Sequence, residues 1–184
     1  MKYPLAYLIT FTTYGTWLHG DKRASVNEEH NRFGEEFVPY NPGLNTKEQS
    51  FLRHPPIKLN AFCRNIVLQA ILEVCEFRGW FAHSVHVRSN HVHIVVSGRE
   101  EPEKMMNDFK IYATKAIKKY GDNMPAEKYW TRHGSTKYIW RAEKLRSSIE
   151  YVKNGQGSIM AFGATEPEPQ ALARGHRAPN VNEG

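Results

Sequence analysis

His91 and His93 stand two residues apart in the run His91-Val92-His93-Ile94-Val95-Val96, directly after Ser89-Asn90. Side chains of a β-strand alternate faces, so residues two apart project from one side of a sheet. A strand here aims both imidazoles into one space and turns Val92, Ile94 and Val96 the other way. Two imidazoles on one face can share a metal ion, although such sites generally take three or four ligands. The other reading of the pair is two solvated or hydrogen-bonded histidines.

A second reactive side-chain type, tyrosine, occurs on helical segments of a basic region downstream. Tyr112 falls in line with Met105, Phe109 and Ala116 at three- and four-residue steps, which is the phase of a core stripe. In the last helical segment the apolar stripe is Leu145, Ile149 and Val152. Tyr151 lies about 100° round from Val152 and shares its face with Lys144, Ser147 and Ser148. Phase puts its hydroxyl on a polar, cationic surface, where it is either a nucleophile or an ordinary half-exposed tyrosine.

These groups need elements to position them. Leu5–Thr13 reads as a strand closed by Tyr14-Gly15, and residues 21–57 as a long irregular insertion with turn residues and little periodicity. Asn60 is an N-cap for a helix over Ala61–Phe77, with Phe62, Ile66, Ala70 and Val74 at helical spacing and Gly79 as its C′ glycine. Trp80–Arg88 and His91–Ser97 read as a hairpin about Ser89-Asn90. Pro102 opens a helix that Gly121 stops; a short strand near Lys137–Arg141 and a helix from Glu143 to Asn154 follow. Residues 161–184, rich in Pro, Glu, Ala and Gly, read as a disordered tail after a domain over 1–160.

The resulting order, β-α-β-β-α-β, predicts an α+β fold of ferredoxin-like type, an antiparallel sheet with its helices on one face. An added C-terminal helix carrying Tyr151 could cover the open face, which is the face His91 and His93 occupy if Val92, Ile94 and Val96 meet the helices.

Composition narrows the function classes. The 184 residues are 40% hydrophobic, with no apolar run of membrane-spanning length and no signal peptide before the first strand. Cys63 and Cys75 share one helix, roughly 18 Å apart and beyond disulfide reach, as expected of reduced core thiols in a cytoplasmic protein. The net charge of +6 is concentrated: residues 104–153 carry 12 basic and 5 acidic side chains, while residues 1–103 carry 11 of each. That basic stretch is interleaved with Tyr112, Tyr120, Tyr129, Trp130, Tyr138, Trp140 and Tyr151. Cations for phosphates with rings for unpaired bases suit single-stranded nucleic acid; a solvated lysine-rich face over core aromatics has the same composition.

Five pieces in order give the chain a resemblance. They are Phe11-Thr12-Thr13-Tyr14-Gly15-Thr16-Trp17-Leu18-His19-Gly20-Asp21, then Val87-Arg88-Ser89-Asn90-His91-Val92-His93-Ile94-Val95-Val96, and Phe109-Lys110. Trp130-Thr131-Arg132-His133-Gly134-Ser135-Thr136 follows, and then Tyr151-Val152 with Gln156-Gly157. Over residues 3–160 the chain resembles the single-tyrosine HUH transposases of bacterial insertion sequences, particularly the branch related to REP-associated tyrosine transposases. The resemblance implies that His91 and His93 are metal ligands and Tyr151 the nucleophile. In many relatives the third ligand is an amide one helical turn after the tyrosine, and that position here is Gly155. Gln156 follows, about 140° round from Tyr151 in a regular helix, and Gly155 and Gly157 could let it swing back; Asn154 is the other candidate.

The family implies a transposase-type single-stranded DNA endonuclease and strand transferase using Mg²⁺ or Mn²⁺. The tyrosine attacks phosphorus, leaving a 5′-phosphotyrosine and a 3′-hydroxyl, and a second strand end reverses the step. Relatives read an imperfect DNA hairpin and include both homodimers and monomers. Arg132, His133, Lys137, Arg141, Arg146 and Lys153 are candidates for phosphate contacts. Lys144, two turns before Tyr151, is a further DNA-binding candidate and a candidate source of positive field at the phenol. Tyr14, Trp17 and His19 end the first strand and either pack the site or touch DNA. Of His83 and His86, alternation lets at most one approach the metal. Two readings of other classes remain: a domesticated hairpin or single-stranded DNA-binding protein without transposition, which Gly155 favours, and a histidine-based phosphohydrolase, which Val95 and Ser97 fit poorly.

Overall fold

The computed structural model describes residues 3–16, 50–121 and 126–165. Trp17, His19 and most of the expected insertion and tail lie outside these residues. Among these residues the elements are, in order, β1 (Ala6–Thr13), α1 (Ala61–Arg78), β2 (Phe81–Val87), β3 (His91–Ser97), α2 (Pro102–Tyr120), β4 (Trp130–Ile139), α3 (Ala142–Asn154) and β5 (Ala161–Gly163).

The strands form one antiparallel sheet in the order β4-β1-β3-β2-β5. Its first four strands follow the ferredoxin-like order, and β5 extends the β2 edge. Two boundaries differ from the sequence expectation. Residues 161–163 belong to the fold instead of the tail, because β5 pairs with Val85, His86 and Val87. The fourth strand starts at Trp130, well before Lys137, since pairing with β1 supplies ladder bonds that local pattern does not reveal.

Local chemistry accounts for the helices. The Asn60 side chain accepts the Cys63 N–H at 2.7 Å, a cap worth about 1 kcal/mol. Gly79 closes α1 in the left-handed region, at φ 66°, where a side chain is costly. Pro102 and Glu103 begin α2 and Lys118 and Lys119 end it, in keeping with the helix dipole. In α1 the buried stripe is Cys63, Val67, Leu68, Ala70, Ile71, Val74 and Cys75. Phe62, expected on that stripe, is exposed, and its neighbour Cys63 is buried in its place.

The sheet has two apolar layers. Ile9, Phe11, Val85, Val87, Val92, Ile94 and Val96 pack with α1 and α2 residues such as Ile71, Phe109 and Ala113. On the other face Ala6, Val95 and Ile139 meet Val152 of α3, flanked by Leu8, Leu145 and Ile149. The added helix therefore does cover the face opposite α1 and α2, with Tyr151 on it. Gly134 on edge strand β4 answers a close approach: a Cβ there would stand 2.5 Å from the Thr10 carbonyl oxygen and 2.4 Å from Met106 Sδ.

Candidate active site

Strand pairing brings the expected histidines onto the face that α3 covers. His93 lies opposite Thr10 of β1 and His86 of β2, and His91 lies opposite Thr12. The His91 and His93 ring centroids are 4.8 Å apart with planes at 76°. Asn90 Oδ1 lies 2.8 Å from His91 Nδ1, and Thr10 Oγ1 lies 2.7 Å from His93 Nδ1. In both rings Nδ1 is held by a neighbour, so Nε2 is the atom each offers a ligand, the arrangement metal-binding histidines commonly use. Burial, helped by the His91, His86 and Arg88 charges, pushes the His93 imidazole down to about 3, against an opposing hydrogen bond from Gln156. His93 is thus neutral at physiological pH, the form that ligates a metal.

Tyr151 reaches the pair from above. Its ring centroid is 5.7 Å from that of His93, and its side chain is 47% exposed, so a strand of substrate could reach the phenol. Tyr112, by contrast, packs against the α1/α2 core, as its helical phase predicts.

Gln156 reaches the pair from the end of α3. The helix stops at Asn154, and Gly157 then adopts φ 76°. Freed from helical phase, the Gln156 side chain turns back to the His93 imidazole and hydrogen-bonds it. Its Nε2 is buried without a hydrogen-bond partner. A hard divalent ion prefers an amide oxygen to an amide nitrogen, so the donor set of two imidazoles and one amide fits such an ion. Asn154 takes another course, donating to Glu150 Oε1 at 2.6 Å on the exposed side of α3. Among the described residues no three His, Cys, Asp or Glu side chains gather as a metal site.

The basic candidates are all exposed: Arg132, His133 and Lys137 on β4, Arg141 as the N-cap of α3, and Lys144, Arg146 and Lys153 along α3. Lys137 pairs with Leu8 and Ser135 with Thr10, which places both on the histidine face. Tyr14 lies under Lys128, and its hydroxyl accepts the Arg53 N–H at 3.1 Å.

Two roles escaped the sequence reading, those of Lys110 and Arg88, and a third residue, His86, was named there only as a possible neighbour of the metal. Lys110 is buried, and its Nζ donates to the carbonyls of Thr131, Arg132 and His133 at 3.0, 3.2 and 3.2 Å. Burial, with Lys128 nearby, pushes its ammonium down to about 8. It holds the start of β4, from which Arg132 and His133 project. His86 and Arg88, on and just after β2, bond the segment that follows Tyr151. Alternation from His91 and His93 across the hairpin was the signal for His86; nothing local pointed to its partners.

Among the described residues no helix is long and apolar enough to cross a membrane. Residues 53–154, more than half of the chain, match the family described as Transposase IS200 like. None of the curated proteins matches the sequence. Among solved structures the chain is similar to a REP-associated tyrosine transposase bound to a REP hairpin. The identity is 12%, covering 84% of this chain and 70% of that one, with a TM-score of 0.46. It is also similar to a protein from Deinococcus radiodurans R1 assigned as a transposase. There the identity is 9%, covering 86% of this chain and 95% of that one, with a TM-score of 0.41.

Proposed function

The chain belongs to the IS200-like transposases, and from that premise we propose that it cuts and rejoins single-stranded DNA by transesterification at Tyr151. The observation that carries this reading is the meeting of the Tyr151 ring with the His91–His93 pair on one sheet face, reached from a separate helix.

In the proposed step Tyr151 Oη attacks a backbone phosphorus in line. The bond to the 3′ oxygen breaks, giving a 5′-phosphotyrosine and a free 3′-hydroxyl; the phenolic proton passes to solvent, and the leaving oxygen takes a proton from solvent. One phosphodiester is exchanged for another, so a second 3′-hydroxyl can reverse the step without an added energy source. His91, His93 and Gln156 would hold a divalent ion, Mg²⁺ or Mn²⁺, which when bound supplies stabilisation of charge on a non-bridging phosphate oxygen. Two imidazoles suit Mn²⁺ better than Mg²⁺. Lys144 lies on the exposed face of α3, two turns before Tyr151, and adds a further cation for the DNA backbone. Arg132, His133, Lys137, Arg141, Arg146 and Lys153 supply phosphate contacts to a hairpin or its single-stranded flank.

The DNA-binding reading without chemistry leaned on Gly155, and the Gln156–His93 contact weakens that ground. A trapping experiment tests the proposal: full-length protein, Mn²⁺ or Mg²⁺, and labelled single-stranded hairpins from DNA flanking its gene, resolved on a denaturing gel. A covalent band lost in Tyr151→Phe, in His91→Ala and with EDTA is the expected result. Binding without any adduct, across hairpins and both ions, would favour the DNA-binding reading instead.

A further inference from the structure

The end of α3 leaves backbone groups that the helix cannot satisfy, because the last four carbonyls of any α-helix lack intrahelical partners. The Tyr151 carbonyl receives the Gly155 N–H at 2.9 Å. The next carbonyl, that of Val152, faces the sheet and lies 2.9 Å from His86 Nδ1. Eight residues further on, the Met160 N–H donates to His86 Nε2 at 3.1 Å. One imidazole, fully buried, therefore grips both ends of the segment 152–160. Only the neutral tautomer with its proton on Nδ1 satisfies both contacts. Between these ends Arg88 Nη1 donates to the Ser158 carbonyl at 2.6 Å. Gln156 sits in the middle of the segment thus held, against His93.

We propose that His86 and Arg88 are positioning residues, which hold the 152–160 segment by three hydrogen bonds so that Gln156 meets His93 as the third arm of the site. The inference rests on the metal reading above. It explains why a glutamine outside helical phase can serve where Gly155 cannot. Beyond Asn154 the backbone is free to turn, and without fixed points on β2 the Gln156 side chain would sample many positions. Neither residue touches the reacting atoms; both act through Gln156.

A double-mutant cycle tests this in the full chain. Arg88 is half-exposed, so Arg88→Gln keeps the core intact; His86→Asn, which retains a donor near Val152 and loses the acceptor for Met160, is the second variant. Arg88→Gln should weaken Mn²⁺ binding about tenfold, the usual effect of losing an outer-shell partner, and Gln156→Ala, which removes a ligand, by at least as much. The double variant should bind no more weakly than Gln156→Ala alone, and His86→Asn should behave as Arg88→Gln does. In the metal-free protein the His93 ring resonances should move with Gln156→Ala and with Arg88→Gln, without further change in the double variant. Additive losses in the cycle, or His93 resonances indifferent to Arg88→Gln and His86→Asn, would overturn the proposal. Wild-type Mn²⁺ binding that ignores Gln156→Ala would sink the metal reading itself; the His93 resonances would then still decide whether the segment is held as described.

Discussion

The Tyr151 ring occupies the space beside residue 155 that a side chain would need. A Cβ on Gly155 would stand 2.8 Å from Tyr151 Cδ2 and 2.7 Å from the Tyr151 carbonyl oxygen. The dihedrals there, φ −79° and ψ 5°, are not the left-handed ones that demand glycine, so the crowding by the Tyr151 carbonyl and ring is the reason for it. Gly155→Ala should push the ring off His93, at about 1–3 kcal/mol of overpacking. Adduct formation should fall about tenfold, the effect of a small misplacement of a reacting group, while Mn²⁺ affinity changes little. Equal adduct yields from the two proteins would show that the ring position is immaterial.

Gln156 and Asn154 make opposite predictions. Asn154→Ala removes an exposed bond to Glu150 and should leave Mn²⁺ affinity unchanged in a titration. Gln156→Ala should cost at least the roughly tenfold that an outer-shell partner is worth. The reverse ranking would assign the third ligand to Asn154.

The low protonation range of His93 predicts how the metal-free protein responds to acid. An unfolded histidine takes up its proton near pH 6.5, whereas folded His93 resists until about 3. Between those values the unfolded chain binds the extra proton, so stability is complete above 6.5 and falls as pH drops toward 3. The slope contributed is on the order of 1 kcal/mol per pH unit, with His83 and His86 shifted in the same direction by burial. Urea unfolding in EDTA between pH 7.5 and 5 measures it. His93→Gln should flatten the slope, and an unchanged slope would remove His93 as its source.

Lys110 carries the start of β4 on one ammonium. Lys110→Met leaves the carbonyls of Thr131, Arg132 and His133 without that donor. A loss of about 2–4 kcal/mol in urea unfolding is expected, since each buried unsatisfied group costs about 1–3 kcal/mol. A loss under about 0.5 kcal/mol would mean that solvent replaces the ammonium.

If DNA crosses the histidine face, Lys137 and Arg146 meet phosphate and the α2 terminus does not. Lys137→Ala or Arg146→Ala should weaken single-stranded DNA binding and lower the slope of log affinity against log salt by about 0.7 for each phosphate no longer neutralised. Lys118→Ala, at the far end of α2, serves as the control. A salt slope that drops equally for Lys118→Ala would place the strand elsewhere.

Spacing alone revealed much of this molecule. A two-residue step in an apolar run put His91 and His93 on one face and Val92, Ile94 and Val96 on the other, because strand alternation is a property of the backbone. Asn60, Gly79 and Pro102 marked helix ends for equally local reasons, and helical phase separated Tyr151 from Tyr112. The order of elements then implied the antiparallel sheet and an open face for α3.

Local periods end where the helix ends. Gln156 lies past Asn154, so its direction depends on Gly155, on the left-handed Gly157 and on bonds to His86 and Arg88, some 70 positions earlier in the chain. Which of Phe62 and Cys63 is buried, how far β4 extends and whether residues 161–163 join the sheet were likewise decided by partners distant in sequence. Residue types and their spacing set which side chains could do chemistry and which face each would take. The tertiary structure decided which of them meet, because a contact across strands and loops is fixed by hydrogen bonds and close packing that no window of neighbouring residues contains.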